Sequence, residues 1–363
     1  MQAPEHSPTQ ELLSAQARFE GLLLGTAVGD ALGLPAENLS PGRICRLWGS
    51  DWRMRLLFGR GMFSDDTEHT LMVAQALLAH PDDGAAFQRS LAGKLRWWLV
   101  GLPGGVGLAT ARACLKLWLG FPSSRSAVTS AGSGPAMRCA ILGAFFATDA
   151  ERRREFVLAS SRLTHRGWQA EVAALAVAEA AALALTCQGQ PDVPRLLSIL
   201  RTLSMEPEWL EPLAQIETAL ERKASVSEFA RTLGLERGVS GYSLHVVPVA
   251  LYAWLRHPGD FRTALIAALE CGGDTDTVGA ILGALCGASS GPQGIPREWL
   301  EGLAEWPRST GFIQAVARRL AEQKASERPL GEVYYFWPGV ILRNLVFLVV
   351  VILHGLRRLL PPY

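Results

Sequence analysis

The sequence lacks most of the marks of specialised protein classes. No pair among its six cysteines shows the CxxC spacing of a zinc site or a redox dithiol. Several, such as Cys139 in MRCAILG, lie inside apolar helical runs. Cys45, Cys114, Cys139, Cys187, Cys271 and Cys286 therefore read as reduced core thiols rather than disulfide partners. An excess of one charge is also missing: 35 basic and 34 acidic side chains leave a formal net charge of +1. No Lys/Arg block alternates with aromatics, so nothing predicts nucleic acid as a partner. The polar N-terminus, MQAPEHSPTQELLSAQ, has neither the basic nor the apolar region of a secretory signal, and a cytoplasmic protein is expected. The residue alternation that marks strands is scarce.

Alanine is abundant, in stretches such as EVAALAVAEAAALAL. Apolar residues recur every three or four positions in FEGLLLGTAVGDALG, TLMVAQALLAH, AAFQRSLAGKLRWWLVG and FRTALIAALE, which is the helical period. Loops rich in Gly, Pro and Ser, such as GLPGGVG and FPSSRSAVTSAGSGP, punctuate these runs. With 49% hydrophobic and 19% charged residues in a 363-residue chain, the pattern predicts one compact all-α domain over residues 11–320. A minor β or irregular element is expected near residues 43–60. Gly279, Gly283 and Gly287 repeat at four-residue spacing, where glycine destabilises a helix unless another backbone approaches closely. Tight helix packing inside a soluble bundle is the expected compensation.

Residues 321–332, AEQKASERPLGE, read as a linker. A hydrophobic tail, residues 333–363, follows. Its unbroken apolar run, Leu345–Leu353, would span roughly 13 Å as a helix, short of a hydrocarbon core of about 30 Å. Tyr334, Tyr335, Phe336 and Trp337 resemble an interfacial aromatic belt, and Arg357 with Arg358 resemble an anchor at the other end. Membrane association, a helix docked on the domain or on a second subunit, and a disordered or misannotated end are the competing expectations.

Two segments carry the chemistry. Phe63-Ser64-Asp65-Asp66-Thr67 precedes an apolar helix, and Gly272-Gly273-Asp274-Thr275-Asp276-Thr277 opens another. Any single acidic residue there reads as a helix cap. Paired carboxylates flanked by hydroxyls exceed what a cap requires and suit hard divalent cations. Four carboxylates brought together repel one another unless cations lie between them. Gly29-Asp30-Ala31-Leu32-Gly33-Leu34-Pro35-Ala36-Glu37 puts Asp30 in an otherwise apolar helix and Glu37 in the loop beyond. The turn Gly132-Ser133-Gly134, opening a helix through Met137, is a candidate phosphate cradle. Thr164-His165 precedes a further helix.

In order, residues 21–37, FSDDT (63–67), SAGSGPAMR (130–138), LTHRGWQA (163–170), SGYSLHVVPVALYAW (240–254) and CGGDTDTVGAILGALCGA (271–288) resemble the ADP-ribosylglycohydrolase family. The resemblance spans about residues 18–310. It implies an orthogonal multi-helix bundle and hydrolysis of the glycosidic bond of ADP-ribose conjugates, on a modified protein or a small acceptor. It also implies two divalent cations, Mg²⁺ or Mn²⁺, held by Ser64, Asp65, Asp66, Asp274, Asp276 and Thr277. Glu37 and Asp66 are the candidate proton-handling carboxylates. The implied substrate side comprises Asp30, Gly132, Ser133, Gly134, Met137, His165 and Tyr242. The chain departs from the family at three places: Ser64 stands where threonine is commoner, Ser133 replaces an asparagine with Pro135 following Gly134, and His245 stands where many relatives carry other residues. A catalytically weak ADP-ribose reader and a scaffold are the alternative functions.

Overall fold

Small residues let helix axes approach until backbones touch, and the architecture is built around one such contact. The computed structural model describes residues 13–186 and 190–360. Cys187 lies outside them. The helix Ala15–Gly33 runs antiparallel to the helix Thr275–Ser290, with Gly21, Gly25 and Gly29 opposite Gly287, Gly283 and Gly279. A Cβ on Gly29 would stand 1.9 Å from the Gly279 carbonyl oxygen, so no other residue fits without separating the helices. Thr275 Oγ1 donates to the Gly33 carbonyl at 2.8 Å and closes the end of the pair. The expected soluble packing of the glycine repeat is thus present, with the first helix as its partner.

The helices Asp65–Ala79, Trp168–Thr186, Ser243–Arg256 and Thr310–Lys324 surround this pair. Trp168–Thr186, apolar on nearly every side, is a mostly buried core helix. Seventeen α-helices form among the described residues, where no strand occurs and pairing is limited to isolated bridges such as Val239 with Gly273. The expected all-α class is observed. Asp83, Asp149 and Asp260 each cap a helix through backbone N–H groups.

Two expectations need adjustment, and for the tail the structure shows one of the alternatives, the docked helix. Residues 43–48 belong to an α-helix, Pro41–Trp48, and the irregular stretch begins after it. Residues 321–332 are not a free linker. The preceding helix continues to Lys324, and Gln323 and Gln75 then hold the chain through Arg328, Leu330 and Val333. Lys94 pairs with Glu332 at 2.6 Å. The tail forms a helix, Pro338–Arg357, that docks on the domain. Arg343 bonds the Glu305 carboxylate and the Phe63 carbonyl, and Asn344 donates to the Gly101 carbonyl at 2.8 Å.

Candidate active site

Ser64 caps the helix Asp65–Ala79, its Oγ accepting from Asp66 N–H at 3.2 Å. That leaves the Asp65 and Asp66 carboxylates without a capping duty. The turn is fixed from below by Asp30, wholly buried on the first helix. Its carboxylate accepts from the N–H groups of Ser64 and Thr67 and from Thr67 Oγ1 at 2.6 Å. Asp30 therefore aims its oxygens at the turn, and it does not line the cleft as a substrate contact would.

The second acidic turn owes its shape to two glycines with positive φ. Gly272 (+68°) and Gly273 (+83°) also lie so close to Leu39 and Val239 that a Cβ at either would collide with a carbonyl oxygen. Backbone bonds from Asn38 N–H to the Gly273 carbonyl (2.7 Å) and from Asp274 N–H to the Val239 carbonyl (2.7 Å) tie this turn to its neighbours. The Glu37 loop thereby sits on one side of it and the Tyr242 segment on the other. Asp274 occupies the cap position of its helix yet makes no side-chain capping bond.

The two turns, more than 200 residues apart in sequence, meet. Thr277 Oγ1 lies 3.4 Å from Asp66 Oδ2, which also accepts from Ser64 Oγ at 3.0 Å. Ser133 Oγ lies 3.4 Å from Asp274 Oδ2. A cleft of about 320 Å³ is lined by Glu37, Asp65, Asp66, Asp274, Asp276 and Thr277 on one side. Gly132, Ser133, Gly134, Met137 and His165 line the other. A larger cavity of about 790 Å³, between Trp97 and Tyr334–Trp337, holds none of these carboxylates. Tyr242 lies beyond the cleft wall. Its hydroxyl bonds Glu208 at 2.5 Å, and its backbone pairs with Gly132.

Burial disfavours charge on every carboxylate here. It pushes Asp30 up to about 7 and drives Asp65, Asp66 and Asp276 well above the usual range, with neighbouring negative charges adding to the effect. Asp274 is raised by burial too. Glu37 is raised by burial and then by Asp274, against the opposing Arg358 guanidinium. His165, packed against Gly134, is held down at about 3 by burial and by Arg138, so it is a neutral imidazole at ordinary pH.

Sequence reasoning missed three contributors. Thr110, in the first turn of the helix Leu108–Trp118, lines the cleft together with Gly105 and Gly107 of the preceding GLPGGVG loop, and none of these residues carried a chemical signal. Arg138 is fully buried beneath the site, bonding Ser160, Thr164 Oγ1 and His69 Nδ1 without a carboxylate partner. Arg358 holds the Glu37 loop through the Glu37 carbonyl (2.9 Å) and the Pro35 carbonyl, from 321 residues away. No local pattern could have announced that last contact.

Comparison with known proteins places the chain in a family. The family model for ADP-ribosylglycohydrolase matches residues 11–329. An uncharacterised protein of Archaeoglobus fulgidus is 33% identical over 318 residues, which is 85% of this chain and 97% of its own length. The ADP-ribosyl-dinitrogen reductase glycohydrolase of Rhodospirillum rubrum is 28% identical over 305 residues, or 80% of this chain and 91% of its own. A solved ADP-ribosylglycohydrolase-related protein complex superposes with a TM-score of 0.62 at 27% identity, covering 86% of this chain and 99% of that one. This chain belongs to the ADP-ribosylglycohydrolase family.

Proposed function

We propose that the protein is a metal-dependent hydrolase that releases ADP-ribose from a modified protein or a small acceptor. One observation carries the metal requirement. Asp66 Oδ1 and Asp276 Oδ1, one from each acidic turn, are buried without any hydrogen-bond partner. Buried carboxylate oxygens left unpaired are costly, and a hard cation satisfies them. Among the described residues no three acidic, histidine or cysteine side chains converge on one point. Hydroxyls and water would therefore complete the ligand set. Ser64, Asp65, Asp66, Asp274, Asp276 and Thr277 are the residues that would hold two divalent cations, Mg²⁺ or Mn²⁺. Bound there, such cations supply Lewis acidity toward the sugar hydroxyls and an activated water.

The chain's own residues do the rest. The Gly132–Gly134 turn offers backbone to the diphosphate, and His165 meets the ribose as a neutral hydrogen-bonding ring. Glycosidic cleavage through an oxocarbenium-like state needs a group to manage the proton. Of the two candidates we assign that role to Glu37. It is only partly buried, at the cleft edge, whereas Asp66 is buried with one oxygen already bonded to Ser64. Four of the five free thiols among the described residues are buried, in keeping with the cytoplasm as its compartment.

The test is a panel of ADP-ribosylated proteins and small conjugates, incubated with Mg²⁺, Mn²⁺ or a chelator and scored for free ADP-ribose. Release should require a cation. In Asp274→Asn/Asp276→Asn both metal uptake and turnover should fall, the latter by about three powers of ten. Full activity in that double variant sinks the binuclear reading. Ser133, turned toward Asp274 in the recognition turn, favours one alternative: ADP-ribose binding without turnover, which the same panel would reveal as affinity with no release.

A further inference from the structure

The helix Pro338–Arg357 divides its residues between two faces in an inverted manner. Arg343, Asn344 and Phe347 are buried against the domain, and His354 and Arg358 bond the Glu37 loop farther along. Leu342, Leu345, Val349, Ile352 and Leu356, three or four residues apart, are exposed, as is Leu353 beside them. Polar groups face the protein and aliphatic groups face out, the reverse of a surface helix in water. Two strained turns adjoin it. Phe58 has φ +48° and is fully exposed, and its neighbour Leu57 packs on the same small cluster as Val350 and Val351. Leu102 has φ +56° and is exposed next to Gly101, which accepts from Asn344. A bulky residue in the left-handed region is unfavourable and tends to mark function.

At the C-terminal end of the helix the surface changes character. A pocket of about 270 Å³ is lined by Arg43, Arg55, His354, Arg357 and Arg358 together with aliphatic side chains and Trp48, and by no acidic residue. The Nε atoms of Arg43, Arg55 and Arg358 are buried without a hydrogen-bond partner. Asp51 pairs with Arg55 from outside this lining, and Glu37 acts on Arg358 from the cleft side. An apolar strip ending in a basic pocket complements one kind of molecule, an anionic phospholipid.

We propose that this face seats on an anionic bilayer, with the helix lying in the plane of the surface, Phe58 inserted beside it and the arginine pocket taking a lipid phosphate. The helix does not span, because Arg343 and Asn344 are committed to Glu305, Phe63 and Gly101. The cleft then opens beside the membrane, since Glu37 on its rim is held by Arg358.

The test sediments the full-length protein with phosphatidylcholine vesicles, with and without phosphatidylserine. Binding should require the anionic lipid and weaken as salt rises. It should drop about fivefold in Arg357→Gln, and be lost in Phe58→Ser/Ile352→Asp. Unchanged melting of these surface variants separates lost binding from lost folding. ADP-ribose release, read separately, keeps this proposal distinct from the hydrolase assignment. A folded protein that ignores anionic vesicles overturns the proposal. So does saturable binding of inorganic phosphate with no vesicle binding, which would assign the pocket to a free ligand. A dimer in light scattering that Ile352→Asp dissociates, again without vesicle binding, would give the face to a second copy instead.

Discussion

At the residue scale the site is a group of acids held in an environment that opposes their charge. Asp30 pushed up to about 7 by burial, and Asp65, Asp66 and Asp276 raised well above the usual range by burial and by neighbouring carboxylates, mean that the folded protein keeps protons the unfolded chain has released. Unfolded aspartates titrate near pH 4. Above about pH 4 the native state therefore binds more protons, and the stability of the cation-free protein falls as pH rises, through the Asp30 value of about 7. Thermal melts in chelator should show Tm declining by several degrees across that window, and added Mg²⁺ or Mn²⁺ should reverse the decline by binding only the folded form. A Tm that climbs with pH in chelator would mean that the cluster is not the main titrating element. This much of the site was legible beforehand, because SDDT and GGDTDT put hard oxygen donors where a cap needs one. The role of Asp30 was not. Its oxygens serve the backbone of a turn 34 residues onward, and an acid in an apolar helix looks the same whether it faces a ligand or a loop.

At the scale of elements, the glycine repeat was visible in sequence and its partner was not. Gly279, Gly283 and Gly287 announced a close approach, but which helix came close depends on a fold that brings Gly21, Gly25 and Gly29 opposite them. A methyl group on Gly29 would overlap the Gly279 carbonyl, and both backbones are rigid, so relief requires parting the central helices. Gly29→Ala should lose about 2–3 kcal/mol in urea unfolding. It should also lose activity in the surviving folded fraction, because Asp30 and Asp276 ride on these two helices. An unchanged unfolding midpoint would contradict the tight pairing. The Glu37 loop depends on a different element. Arg358 holds it by two carbonyls, and His354 adds a third contact at 3.0 Å to the Pro35 carbonyl. Arg358→Ala should free the loop and lower kcat about tenfold with a smaller change in KM, since a group acting in the transition state would be misplaced. Arg358→Lys, with one point charge in place of a fork, should recover only part. Equal kinetics in all three proteins would show that Glu37 needs no such support.

At the scale of the whole molecule, the sequence leaves the terminal helix open between a membrane-associating tail and a docked helix, and the helix folds as part of the domain. Composition concealed this, because LVFLVVVIL looks like lipid-facing chain, while the residues that bind it to the protein are the few polar ones within it. Arg343 enters a buried network with Glu305 and Glu68, where Arg308 also pairs with Glu68 and Trp98 Nε1 donates to it. All four charged groups are almost wholly buried, and Phe63, next to the first acidic turn, bonds both Glu305 and Arg343 through its backbone. Removing one partner of a buried ion pair leaves the other charge unpaired, at a cost of about 3–5 kcal/mol. Arg343→Met should therefore destabilise the protein by about that amount in denaturant unfolding and depress activity through the Phe63–Ser64 turn. Deleting residues 333–363 would do at least as much, since it also exposes the surface that Phe347 covers. A truncated chain that partitions differently in a cell would then report misfolding as readily as lost membrane contact. Charge placed on the outer face, as in Ile352→Asp, leaves the Glu68–Arg343–Glu305 network intact. The two kinds of change should separate cleanly: the inner face lowers Tm and turnover, the outer face neither. If Arg343→Met melts like the parent, the helix is an accessory after all.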